Sequence, residues 1–177
     1  MDKDYHTKKT ATIGGTFDAL HAGHQEYIRL AFEYADRVFI YVNSDEYARP
    51  QKCYEVQPLA LRISQLRAYL RNLGISDSTY EIRRLNALKE LEQDFQNEEI
   101  HLAVVVPEYY PLVQNLNQLR IQNNQKPVLI LVKERTRDSQ NGDISSSAIH
   151  LACGHQFAPT SNGKALTSAS EIALQQE

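Results

Sequence analysis

The chain has 177 residues, 42% of them hydrophobic and 23% charged, with a formal net charge of −3. This length suits one domain and the apolar fraction is compatible with a folded core, while a slightly acidic balance removes whole-chain attraction to nucleic acid or an anionic membrane. No apolar run approaches the roughly 20 residues that span a bilayer, Met1 to Tyr5 is polar, and the distant Cys53 and Cys153 match no metal or redox spacing and suit a reducing compartment. The expectation is a cytoplasmic globular protein with no nucleic-acid and no membrane partner.

A first strand is expected over Thr10 to Ile13. The segment Gly14-Gly15-Thr16-Phe17-Asp18-Ala19-Leu20-His21-Ala22-Gly23-His24 follows it. Gln25 to Ala35 then carries Tyr27, Ile28, Leu30, Ala31 and Tyr34 at a helical period of about 3.6. Val38 to Val42 is apolar throughout, as in a parallel strand buried on both faces. Glu46 to Gln57 reads as a loop or a short broken helix. Pro58 opens a helix with Leu59, Ile63, Leu66, Tyr69, Leu70 and Leu73 on one stripe, and Gly74 stops it. Tyr80 to Leu85 alternates as a strand, and Ala87 to Gln96 reads as a polar helix. Leu102 to Val106 is a strand closed by Pro107, Leu112 to Asn123 a helix, and Val128 to Val132 the last core strand. Asp138 to Asp143 has loop composition, and Ser145 to Cys153 opens a final helix.

Alternating strands and helices, with strands apolar on both faces, imply the α/β class. The expected architecture is a Rossmann-like three-layer fold around a five-stranded parallel sheet with right-handed crossovers. One domain over residues 1–154 is expected. Residues 155–177 read as a tail, mobile or a weak helix. Ligands of such sheets bind beyond the carboxyl ends of the strands, and the turn at Gly14 to Asp18 lies at such an end.

That turn carries the chemistry. A strand, a glycine turn and a helix build an anion site, because the free N–H groups of the first helical turn point at the ligand. His21 and His24, three apart, are neighbours on one helix face. A structural pair, a metal pair and a phosphate-binding pair are all readings of two such histidines. No nearby His, Cys or carboxylate completes a ligand set, so no protein-built metal site is expected. Beside the glycine turn, phosphate binding is the favoured reading.

Gly14-Gly15-Thr16-Phe17-Asp18 with His21-Ala22-Gly23-His24 resembles the signature of the nucleotidyltransferase superfamily. Ile144-Ser145-Ser146-Ser147-Ala148-Ile149-His150 resembles the second signature of that superfamily, with His150 where arginine is usual. Ser44 to Ala48, Lys52, Pro58 with Arg62, Val104 to Glu108 and Asn117 to Arg120 are similar to the archaeal and eukaryotic type of pantetheine-phosphate adenylyltransferase. Pro107 and Tyr109-Tyr110 depart from that family's usual serine and Glu-Thr, and its Gly-Pro-Ala-like stretch is not visible in Leu85 to Asp94.

The resemblance implies AMP transfer from ATP to 4′-phosphopantetheine, giving dephospho-coenzyme A and pyrophosphate. The alternatives are another transferase of this fold, such as an FMN adenylyltransferase or a CTP-dependent cytidylyltransferase, or a catalytically impaired nucleotide-binding module. It also implies ATP and a phosphorylated small-molecule acceptor as partners, with Mg2+ carried mostly by the phosphates. An acceptor phosphate is already anionic, so no general base is needed, and none is evident. His24, Lys52 and Thr16 are the implied catalytic residues. Gly15, Thr16, Phe17, His21, His24, Arg120, Ser145, Ser146 and Ser147 would hold ATP; Thr16, Lys52 and Arg62 would hold the acceptor. Lys52 also reads as a solvated loop lysine, and Arg62 and Arg120 as exposed helix arginines.

Overall fold

The computed structural model describes residues 8–97 and 99–136. Five strands, β1 (Thr10–Gly15), β2 (Arg37–Asn43), β3 (Tyr80–Leu85), β4 (Leu102–Val105) and β5 (Leu129–Val132), form one sheet. All pair in parallel, in the order β3-β2-β1-β4-β5. The chain therefore builds outward from β1 on one side, then crosses to β4 on the other. The order of strands switches between β1 and β4.

The period-two geometry of a strand sorts β2 into two cores. Val38, Ile40 and Val42 meet Ile28 and Ala31 of helix α1 (Ala22–Tyr34) and Leu66 and Leu70 of α3 (Leu59–Asn72). Phe39 and Tyr41 face the opposite side, with Phe95 of α4 (Leu88–Asn97) and Val113 and Leu116 of α5 (Tyr110–Gln122). Two covered faces explain the unbroken apolar run.

The ambiguous stretch after β2 holds one short helix, α2 (Asp45–Ala48), and a 3-10 turn over Arg49–Gln51. The Ser44 hydroxyl caps α2 by accepting from the Tyr47 amide at 3.1 Å. Gly74 ends α3 as expected: at φ +72° it lets the Gly74 amide bond the Arg71 carbonyl and the Ile75 amide bond the Leu70 carbonyl.

One strand differs from expectation. β5 is an edge strand, with Leu129 72% exposed. Its apolar composition is that of a core strand, but among the described residues it has a neighbour, β4, on one side alone. The loop over residues 138–143, the helix over 145–153 and the tail over 155–177 lie outside the described residues. No described helix is long and apolar enough to cross a membrane.

Candidate active site

The β1–β4 ladder pairs Ala11 with Leu102 and Thr12 with Ala103, and goes no further. Where it stops, the Tyr27 phenol of α1 stands between the strands. Its hydroxyl donates to the Val104 carbonyl at 2.7 Å and accepts from the Gly14 amide at 3.3 Å. Tyr27 thus satisfies backbone groups that the parted strands no longer offer one another. Burial raises its pKa. The strand ends beyond it are where a switch in strand order places a ligand crevice.

The loop from Gly15 to His21 joins the carboxyl end of β1 to the start of α1. Phe17 and Ala19 both adopt left-handed backbone, at φ 50° and 46°, a region disfavoured for side chains with a Cβ. Two contacts hold the loop there. The Phe17 ring, 1% exposed, lies 5.3 Å from the His24 ring and 6.5 Å from that of Tyr27. The buried Asp18 carboxylate accepts from the Gln57 amide at 3.3 Å. Phe17 therefore leaves only its backbone to the site.

His21 is the N-cap of α1 and makes no side-chain capping bond. Its ring stacks on that of His24 with centroids 3.9 Å apart. Gly23 permits the stack: a Cβ there would lie 3.1 Å from the His21 ring. Among the described residues, the Nδ1 atoms of both histidines are buried without a hydrogen-bond partner. Burial pulls the His24 pKa down to about 3, assisted by His21 and Lys52 and opposed by a hydrogen bond to the Ala19 backbone. Burial, then Lys133, lowers that of His21. Both imidazoles are neutral near pH 7.

Lys52, directly after the 3-10 turn, comes within electrostatic reach of His24. Burial lowers its own pKa, and Asp18 opposes the shift. Lys133 follows β5 and approaches His21; its ammonium contacts Glu26 at 3.1 Å and Thr136 Oγ1 at 2.8 Å. Sequence reasoning passed over Lys133 and Asn43, and gave Asp18 of the first signature no role of its own. The one signal for Lys133 and Asn43 was position, since each sits at the carboxyl end of an apolar strand.

Two arginines depart from expectation. Arg62 is fully buried, not the exposed helix arginine expected. Its guanidinium donates to the carbonyls of Gln57, Thr16 and Asn43 at 2.8, 2.7 and 2.8 Å and pairs with Asp45 at 2.7 Å. It supports the loop from beneath. Arg120 is not brought to the crevice at all. It lies near the end of α5, which runs antiparallel to the strands and carries it to their amino edge. There it donates to the Phe95 and Lys126 carbonyls. Ser145, Ser146 and Ser147 lie outside the described residues.

The structure thus brings Gly15, Thr16, Phe17, His21, His24 and Lys52 to one end of the sheet. Neutral imidazoles, two lysines and a helix N-terminus suit a polyphosphate. Among the described residues no group of three or more His, Cys, Asp or Glu is placed to hold a metal ion.

The profile of the cytidylyltransferase-like family matches residues 12–171. The phosphopantetheine adenylyltransferase of Methanosarcina mazei is 35% identical over 141 residues, which is 77% of this chain and 87% of that protein. That of Methanopyrus kandleri is 33% identical, covering 80% and 88%. A solved structure of a protein of unknown function from Archaeoglobus fulgidus superposes with a TM-score of 0.61 at 27% identity, covering 77% of this chain and 99% of that one.

Proposed function

The chain belongs to the cytidylyltransferase-like family, and from that membership we propose that it transfers the adenylyl group of ATP to 4′-phosphopantetheine. The observation that carries the reading is the gathering of Thr16, His21, His24, Lys52 and Lys133 beside the β1–β4 crevice. The acceptor follows from the relatives named phosphopantetheine adenylyltransferase.

An oxygen of the acceptor phosphate bonds to the α-phosphorus of ATP. The bond from that phosphorus to the β-bridging oxygen breaks, and its electron pair leaves with pyrophosphate. The nucleophile is already ionised, so the protein need move no proton. Its contribution is positioning and charge stabilisation. The backbone around Gly15, Thr16 and Phe17 and the start of α1 receive phosphate oxygens, and the Thr16 hydroxyl donates to the phosphate in transfer. His21 and His24 serve the triphosphate. A polyanion beside them favours their protonated forms, so they gain donor capacity as ligand arrives. Lys52 offsets charge between donor and acceptor. Ser145, Ser146 and Ser147 hold the β- and γ-phosphates. Mg2+ enters with ATP as part of the substrate, screening charge on the phosphates. Such an enzyme works in the cytoplasm.

The test is pyrophosphate release with ATP or CTP, crossed against 4′-phosphopantetheine, FMN, nicotinamide mononucleotide and glycerol 3-phosphate. Release with ATP and 4′-phosphopantetheine alone is the expected result. Turnover with a different pair would reassign the acceptor. ATP binding without any turnover would reduce the chain to a nucleotide-binding module.

A further inference from the structure

Beneath the candidate phosphate loop, Arg62 and Asn43 converge on one residue. The Arg62 Nη1 donates to both the Thr16 and Asn43 carbonyls, at 2.7 and 2.8 Å, and so joins the ends of β1 and β2. The Asn43 side chain, 6% exposed in its residue, places its amide nitrogen 3.4 Å from Thr16 Oγ1. A hydroxyl has one hydrogen and two lone pairs. With a lone pair turned to the Asn43 amide, the Thr16 hydrogen is directed away from β2, toward the crevice. We infer that Asn43, held by Arg62, is a positioning residue that makes the Thr16 hydroxyl a donor to bound phosphate. This rests on the proposed transfer reaction. The bond is long in the ligand-free chain, as such bonds commonly are before ligand tightens them.

Polarity separates this role from simple packing. Asn43→Asp is nearly isosteric but replaces the amide donor with an acceptor. The Thr16 hydroxyl then turns its hydrogen onto the carboxylate and is lost to the ligand. Asn43→Ala leaves the hydroxyl free to rotate, a milder fault. Thr16→Val deletes the hydroxyl at similar volume. The experiment is a double-mutant cycle of Asn43→Asp and Asn43→Ala with Thr16→Val, reading kcat and KM, with melting temperature checked for each variant. The expected result is a fall in kcat on the order of tenfold for Asn43→Ala and a hundredfold for Asn43→Asp, with a smaller rise in KM for ATP. In the Thr16→Val background, Asn43→Ala should have no further effect. Full additivity, or an Asn43→Asp variant as active as the parent, would overturn the inference. If the parent protein turns over no substrate pair, the proposed function fails. The same cycle is then read as affinity for inorganic triphosphate: coupling sustains the Asn43 role, and additivity or absence of binding ends it.

Discussion

Arg62 and Arg120 are both buried helix arginines that donate to backbone carbonyls, yet they stand at opposite edges of the sheet. Arg62 lies one turn into α3, at the carboxyl edge, where it ties Thr16, Asn43 and Gln57 together and pairs with Asp45. Arg120 lies one turn from the end of α5, at the amino edge, where it joins α4 to the segment before β5. The local chemistry is shared: a planar guanidinium satisfies several carbonyls that burial would otherwise leave unpaired. What differs is which carbonyls. In a parallel sheet every crossover helix runs back from the carboxyl edge to the amino edge. An arginine early in such a helix supports the site, and one late in it supports the fold.

The contrast can be broken most forcefully by Arg62→Met. That change leaves Asp45 unpaired and three carbonyls without their donor, so a loss of about 3–5 kcal/mol is expected in denaturant unfolding, with activity lost as well. Arg120→Met should destabilise by about 1–3 kcal/mol while kcat per folded molecule stays at the parent value. A fall in kcat with Arg120→Met would return that arginine to the site. His24→Ala tests the converse at the carboxyl edge. If His24 serves the transition state, kcat should fall roughly 100-fold, equivalent to about 2.7 kcal/mol, with a smaller change in KM. An unchanged kcat would remove His24 from the machinery.

The smallest effect expected is on acid stability. His24 is held at about 3 by burial, whereas an unfolded histidine titrates near 6.5. Between those values the unfolded chain takes up a proton that the folded chain excludes. Stability is therefore complete above about pH 6.5 and falls as pH drops below it, by up to about 1.4 kcal/mol per pH unit for each such proton. His21, also depressed, contributes in the same direction. Unfolding midpoints between pH 7.5 and 5 should drop in the parent and drop less in His24→Asn. Equal slopes in the two proteins would show that the imidazole is not buried as the geometry requires.

Much of this was legible in the chain. The glycine turn, the paired histidines and the five strand-prone segments identify an α/β fold with a phosphate site after β1, because strand period, helix period and turn chemistry are local properties. The site's supports were not legible. Tyr27 read as one more aromatic on a helix stripe, and Asn43 and Lys133 carried no reading of their own. Arg62 and Arg120 both resembled family positions on helices, and nothing within either helix says that each is buried.

The sequence alone determines the order of elements, the two-sided burial of β2 and the segment of the site from Gly14 to His24, since these depend on neighbours in the chain. Tertiary structure decides what lies under and across that segment. The Thr16 carbonyl meets Arg62 from 46 residues away, and the Tyr27 hydroxyl meets Val104 from 77. Those pairings exist because the strand order places β1 between β2 and β4, with α1 and α3 on one face of the sheet and α4 and α5 on the other among the described residues. Periodicity can say that a side chain is buried, but only the assembled sheet says which carbonyl it meets.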